Sequence, residues 1–366
     1  MLVLVVNAGS SSVKLRVIDD DARVAASRDL PSADQIDLRA ELAAFLDDAP
    51  GVDAAGHRVV HGGARFTSPV LLDRTTDRAL EELADLAPLH NPPSLAAVRD
   101  LQALRPALPQ VACFDTAFHA EMPPASATYA VPRDWREGFG IRRFGFHGLS
   151  HAWSSRRAAE LLGATPSVRR LVTAHLGAGA SLAAVAEGRS VDTTMGFTPL
   201  DGLVMATRSG GIDPGAVLWA EQRGGLTPDE VLEALEHRSG LLGLSGTSGD
   251  LREVLASADG GDADARLAYD VYVYRIRVGV AAMVGALGGL DALVFTGGAG
   301  EGSTRLRRDV CRDLGYLGLQ PEDAAGLGQG DRVVSQPADG PPVLVVHARE
   351  DLEVDRHVRQ LVASAR

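Results

Sequence analysis

The chain opens with an unbroken apolar run, Leu2–Val6. A polar stretch follows, Asn7-Ala-Gly-Ser-Ser-Ser12, and then Val13–Ile18, where apolar and polar residues alternate. An unbroken run predicts a strand buried on both faces, and alternation predicts one with a single buried face. The segment therefore reads strand–turn–strand. The pattern recurs as Leu171–Leu176, Gly177-Ala-Gly-Ala-Ser181 and Leu182–Val185. Two apolar hairpins with Gly/Ser tips, about 170 residues apart, predict a duplicated domain.

Helical periodicity follows each hairpin. Leu38–Leu46 and Thr76–Leu86 are amphipathic, and Ser154–Leu162 stops at Gly163, a natural C-cap. Pro228–His237 carries proline in its first turn, and Asp264–Leu287 reads as one long helix. Ala292–Phe295 is a strand that runs into Thr296-Gly-Gly-Ala-Gly-Glu-Gly302 and then the helix Thr304–Leu314, the arrangement of a phosphate-binding turn. Gly318–Pro342 reads as loop, Val343–Val346 as a late strand and Leu352–Ala363 as a closing helix. Strands alternating with helices place the chain in the α/β class.

Composition narrows the function. The 366 residues suit two domains, and 45% hydrophobic content supplies a sizeable core. A net charge of −12 disfavours nucleic acid or an anionic membrane surface as partner. No apolar run reaches the ~20 residues of a membrane span, and Met1–Val6 lacks the features of a signal peptide. Cys113 and Cys311 lie far apart, which argues against a disulfide framework and fits a reducing cytoplasm. One skew is sharper. Of 36 basic residues only Lys14 is lysine, and the only asparagines are Asn7 and Asn91. Positions where so sparing a chain keeps these residues carry information.

Asn7–Lys14 combines small residues, three hydroxyls and a point charge, which suits a phosphate, although turns often contain Asn, Gly and Ser for their own reasons. It is not a Walker loop, because no Gly-Lys-Ser/Thr follows. Seven of ten histidines fall between His57 and His175, in clusters that also hold Arg58, Asn91 and Asp115. A single histidine is most often a satisfied core residue; four such clusters beside element ends weaken that reading. His147 and His151, four apart, could ligate zinc, but no Glu-x-x-His or cysteine partner completes the site. Arg208, in a Gly/Ser turn, suits an oxyanion or is an ordinary solvated arginine.

These segments together carry a resemblance. Val5–Lys14 resembles the first signature of the acetate kinase family, and Arg142–His151 the second. His57–Gly63, Pro88–Pro92, Phe114–His119, His175–Ser181, Thr207–Gly215 and Phe295–Ser303 are similar to further family segments in the same order, so the likeness spans essentially the whole chain. The resemblance implies an α/β fold of two ribonuclease-H-like domains, of the actin/hexokinase/Hsp70 kind, around an interdomain cleft. Their expected spans are 1–119 plus 352–366, and 120–351. It implies reversible transfer of the ATP γ-phosphoryl group to acetate. Asn7 and Glu350 would hold Mg2+, with Mn2+ as a substitute, and Lys14, Ser10 and Ser12 would serve the ATP phosphates. Nucleotide loops are implied at His175, Leu176, Gly177, Ala178 and Gly179, at Asp250, Leu251 and Arg252, and at Gly298, Ala299, Gly300, Glu301 and Gly302. Arg58 would grip acetate, with Val60, Leu89, His90, Phe146 and Pro199 around it. Asp115 would be the catalytic carboxylate, and His147 and Arg208 would stabilise the transferring group. A cytoplasmic homodimer is also implied.

The chain departs from the family pattern at Ala178 and Gly302, where asparagine is usual, at Gly211, where aspartate is usual, and in Ala348-Arg-Glu-Asp351, where Thr-Asn-Glu-Glu is usual. These changes fall mostly on the nucleotide side. Propionate or another short carboxylate as acceptor, pyrophosphate as donor, and a non-catalytic nucleotide-binding protein of the same fold are the alternative readings.

Overall fold

The structure, a computed structural model, describes residues 1–9, 12–83, 91–163, 169–322 and 330–364. It divides into two compact units. The first comprises Met1–Ala120, Phe146–Trp153 and Arg349–Arg366; the second comprises Glu121–Gly145 and Ser154–Ala348.

The first unit is built on β1 (Val3–Ala8), β2 (Ser12–Ile18), β3 (Val24–Pro31), β4 (Ala54–Val59), β5 (Val70–Leu71) and β6 (Gln110–Phe114), in the order β3-β2-β1-β4-β6-β5. β1 to β3 form an antiparallel meander, β4 and β6 extend the sheet parallel to β1, and β5 lies antiparallel to β6. The second unit contains β7 (Arg170–Leu176), β8 (Ala180–Ala186), β9 (Arg189–Thr193), β10 (Ala292–Thr296), β11 (Arg332–Ser335) and β12 (Val343–Val345), in the order β9-β8-β7-β10-β12-β11. Again there is an antiparallel meander, two further strands parallel to its first member and an antiparallel edge. Strand for strand the two sheets match in order and sense, and the two hairpins read from the sequence open each of them.

Alternation along β1 explains why helices are needed on both faces of the first sheet. Leu4 and Val6 join Leu15, Val17, Leu38, Leu42, Phe45 and Leu101, whereas Val3 and Val5 join Ile18, Val111, Val354 and Val358. The first set is closed by the helices Leu38–Asp48 and Asn91–Leu104, the second by Glu350–Ser364. Gly56 in β4 makes the last contact possible: a Cβ there would lie 2.4 Å from Val354 Cγ1 and 2.6 Å from Val358 Cγ2.

Several expectations shift. Phe146–Trp153 was expected in the second domain, yet it groups with the first unit, tied to it by Gly148 N–H donating to Asp115 O at 3.0 Å. The Gly148–Leu161 helix starts six residues before the expected Ser154, because the Gly-Leu-Ser-His run continues into it. The prolines of Asn91-Pro-Pro occupy the first turn of Asn91–Leu104, where a missing N–H costs nothing. The Thr76–Leu86 expectation corresponds to Arg74–Glu81, capped by Asp73, and its last three residues lie outside the described ones. β11 falls within the stretch read as loop. Among the described residues no helix is long and apolar enough to cross a membrane.

Two buried histidines couple the first unit to pH. On β4, His57 shares a 2.8 Å hydrogen bond between Nε2 and Gln110 Oε1, while its Nδ1 is buried with no partner among the described residues. A second proton would have nowhere to bond, and burial lowers the pKa of His57 from 6.5 to about 4, against a smaller opposing pull from Gln110. Burial lowers His119 to about 4 as well. The unfolded chain takes up these protons first as pH falls. The stabilisation is therefore complete above pH 6.5 and lost on descent toward about pH 4. Each histidine accounts for about 3 kcal/mol over that window. Thermal melts followed by circular dichroism should show the midpoint falling between pH 7 and pH 4.5, and falling less in His57→Gln; equal falls would refute the assignment to His57.

Candidate active site

In the first unit β1, β4 and β6 run parallel as neighbours and bring their carboxyl ends side by side, the edge at which open α/β sheets bind ligands. Each end supplies one polar side chain: Asn7 near the end of β1, Arg58 near the end of β4, and Asp115 just after β6. Arg58 binds Asp115 as a fork. Its Nη2 donates to Oδ2 at 2.6 Å, and its Nε lies 3.1 and 3.2 Å from the two carboxylate oxygens. Arg58 Nη1 donates to Asn7 Oδ1 at 3.2 Å. Asn7 Nδ2 in turn donates to Glu350 Oε2 at 3.2 Å, and that oxygen lies 3.8 Å from Arg58 Nε. Glu350 opens the last helix. The four expected residues thus form one network assembled from both ends of the chain.

The Asp115 side chain is 1% exposed and that of Arg58 17%. Burial opposes the charge on Arg58, but the Asp115 and Glu350 carboxylates outweigh it and hold the guanidinium proton more tightly than usual. Burial pushes the Asp115 carboxyl up from its ordinary range; Arg58 pulls against that rise and Glu350 adds to it. A charge-assisted fork of this geometry keeps the pair ionised. Two carboxylates, Asp115 and Glu350, therefore lie against this one guanidinium.

His147 lies just ahead of the Gly148–Leu161 helix with φ +55°, a left-handed conformation that costs an L-residue about 1–3 kcal/mol. Gly148 follows because nothing larger fits: a Cβ would come 2.0 Å from Asp115 O. Phe146 is fully buried and meets the ring of His61 edge-on at 5.3 Å, and Val60 is buried close by in sequence, after β4. Lys14 stands directly across from Asn7 on β2 and is exposed. Ser12 begins β2 and its carbonyl accepts from Gly9 N–H at 2.9 Å. Ser10, Leu89 and His90 lie outside the described residues.

The remaining expected residues belong to the second unit. His175 and Leu176 end β7, and Gly177–Gly179 turn the chain into β8, closed by Gly177 N–H to Gly179 O at 2.9 Å. Beside this turn, β10 ends and the short helix Gly297–Gly302 begins. Gly297 has φ +77°, and a Cβ there would lie 2.9 Å from the Leu176 carbonyl, so the two Gly turns approach backbone to backbone. Added Cβ atoms at Gly298 and Gly302 would meet nothing within 4 Å among the described residues. Glu301, expected at the nucleotide, uses Oε1 to accept from Gly297 and Ala348 N–H, each at 2.9 Å. Asp250 caps the helix Leu251–Asp259 and pairs with Arg252 at 2.6 Å; that side-chain bond, with the cap, lowers its pKa to about 2. Arg208 Nη1 donates to Pro199 O at 3.4 Å; burial loosens its proton, and the nearby Glu236 charge offsets part of that.

Sequence reasoning missed several buried charged groups, and two of them, Arg307 and Glu236, lie beside expected site residues. Arg307, 1% exposed, pairs with Glu322 at 2.7 Å and donates to the Gly300 and Glu301 carbonyls, each at 2.8 Å, which fixes the Gly loop from behind. A signal existed: Arg307 shares a helix face with Val310 and Cys311. Glu236 is nearly buried, and its carbonyl accepts from Thr207 Oγ1 at 2.7 Å, beside Arg208. No sequence pattern marked it, because it follows no apolar period.

Comparison with known proteins identifies the family and the fold. The family model described as the acetokinase family matches residues 32–356. An acetate kinase of Leifsonia xyli subsp. xyli is 46% identical over 396 residues, covering 99% of each chain. The crystal structure of Porphyromonas gingivalis acetate kinase superposes with a TM-score of 0.90 at 36% identity, covering 99% of each chain. A propionate kinase from Francisella tularensis subsp. tularensis gives 0.90 at 35%, covering 98% of this chain and 99% of that one. The two units therefore have the actin/hexokinase-like fold. The chain belongs to the acetokinase family, phosphotransferases whose acceptor is the carboxyl group of acetate and whose co-substrate is ATP.

Proposed function

We propose that the first unit carries the acceptor machinery and the second the nucleotide machinery, with the roles distributed as follows. Arg58 binds the carboxylate of acetate, beside a small apolar wall that includes Val60 and Phe146. Its guanidinium plane is already set by Asp115, and this is the observation that carries the reading. A carboxylate oxygen of acetate attacks the γ-phosphorus, the bond from that phosphorus to the bridging oxygen of ADP breaks, and acetyl phosphate and ADP result. Acetate is ionised at neutral pH, so no proton has to be removed and no general base is needed. Asp115 accordingly orients Arg58. His147 and Arg208 place positive or hydrogen-bonding groups at the equatorial oxygens, where charge is spread in the transition state. Ala178, Gly179 and the Gly297–Gly302 turn receive the nucleotide phosphates through backbone N–H groups, with Lys14 assisting.

Mg2+ fits the residues present. Asn7 Oδ1 and the Glu350 carboxylate are hard oxygen donors held side by side in one network. Mg2+ is commonly bound by one or two carboxylates together with substrate phosphates, here those of ATP. When bound, Mg2+ supplies charge neutralisation across the nucleotide phosphates. A cytoplasmic homodimer accompanies this reading. The Pro214–Gly224 helix buries none of its residues and exposes Leu218 and Trp219, which supports a partner surface.

Acetate is the preferred acceptor and ATP the donor. A hydroxamate assay with acetate, propionate and butyrate should give the highest kcat/KM for acetate. A methylene in an apolar pocket changes it by about 10–200-fold. A higher value for propionate would transfer the assignment to propionate. Turnover with pyrophosphate in place of ATP would overturn the donor, and no acyl phosphate with any acid would overturn the whole reading. Arg208→Ala should lower kcat by about 100-fold or more while leaving the acetate KM within a few-fold; turnover within threefold of the unaltered enzyme would remove Arg208 from the mechanism.

A further inference from the structure

We infer that His119 is a positioning residue for phosphoryl transfer, acting through the Phe146–His147 turn. The left-handed backbone at His147 persists only if its surroundings dictate it. Two ties on either side do so, and both come from the segment that follows β6. Asp115 O accepts from Gly148 N–H at 3.0 Å, immediately after His147. His119 Nε2 lies 3.0 Å from Phe146 O, immediately before it. A carbonyl only accepts, so Nε2 carries the proton and donates. His119 is fully buried at the end of the 3-10 turn Ala117–His119.

The rings reinforce the tie. His119 meets His151 edge-on at 5.7 Å, and His151 lies 6.5 Å from His147. One short segment, Asp115–His119, thus orients Arg58 through the Asp115 carboxylate and fixes the turn of His147 through the Asp115 carbonyl and the His119 ring. Loss of the His119 donor would release one side of the turn. It would leave the Arg58 fork and the nucleotide loops intact. The expected signature is a loss in kcat with little change in either KM.

The inference rests on the proposed role of His147, and the test separates the two. Steady-state kinetics are measured on the full chain with ATP, Mg2+ and acetate for His119→Leu, His119→Gln and His147→Ala. Glutamine reaches as far as Nε2 and keeps an N–H donor; leucine keeps bulk alone. His119→Leu should lower kcat at least 20-fold with both KM values within threefold, and His119→Gln should retain at least a third of the original kcat. Near-normal turnover in His119→Leu beside a slow His147→Ala would overturn the role of His119 alone. Equal losses in the glutamine and leucine variants would also overturn it, because bulk rather than the donor would matter. Near-normal turnover in His147→Ala would overturn the role of His147 and this inference with it. Should His119→Leu fail to fold, His119→Asn, whose amide stops short of Phe146 O, takes its place with the same expected loss, and normal turnover there would overturn the inference.

Discussion

The Arg58–Asp115 pair is the constraint to which the first unit's site answers. A carboxylate 1% exposed is costly unless a charge and hydrogen bonds meet it, and leaving one partner alone costs about 3–5 kcal/mol. The sheet meets that demand by topology. Parallel neighbours β4 and β6 end at the same level, so an arginine near the end of one faces an aspartate just past the end of the other. Once the fork forms, the guanidinium plane is fixed, and its remaining nitrogen is directed at Asn7 on the third parallel strand. The last helix then delivers Glu350 to Asn7, its approach to the sheet permitted by Gly56. Orientation is obtained here from a buried charge pair rather than from a rigid loop.

Duplication explains how one architecture serves two tasks. The same strand order appears twice, and the second copy has traded side-chain chemistry for backbone. Where β1, β4 and β6 end in Asn7, Arg58 and Asp115, the ends of β7 and β10 lead into Gly177–Gly179 and Gly297–Gly302. Glycine exposes N–H groups, which suit phosphates of any nucleotide state, whereas a small carboxylic acid offers one charged group and must be gripped by a side chain. The proposed division bears on Ala178 and Gly302 as well. If backbone carries the phosphate contacts, a missing asparagine removes one hydrogen bond and spares the site.

Much of this was legible in the chain. The hairpins at β1–β2 and β7–β8 were visible because a strand's period of two is short and their tips are polar. The rarity of asparagine drew attention to Asn7, which lies in the network, and the family likeness brought in Arg58, Asp115 and Glu350. What escaped notice was long-range by nature. Nothing in the pattern shows that Glu301 is occupied by Gly297 and Ala348. Nor does it show that Asn91-Pro-Pro begins a helix rather than ending a turn, since the same residues suit both. Phe146–Trp153 belongs with the first unit because of a contact at Asp115, and a backbone hydrogen bond between residues 33 apart leaves no trace in local periodicity. Sequence reasoning did not set Arg307 apart among thirty-five arginines, whereas its buried pairing with Glu322 does.

The central claim is that Asp115 works through Arg58 and takes no proton itself. The direct measurement is a double-mutant cycle in kcat/KM for acetate with Asp115→Asn, Arg58→Ala and both together. Asp115→Asn should cost about 100-fold in the original enzyme and less than threefold once Arg58 is alanine, because its partner is gone. The same loss in both backgrounds would mean that Asp115 contributes independently of Arg58, and the account of the site would be wrong.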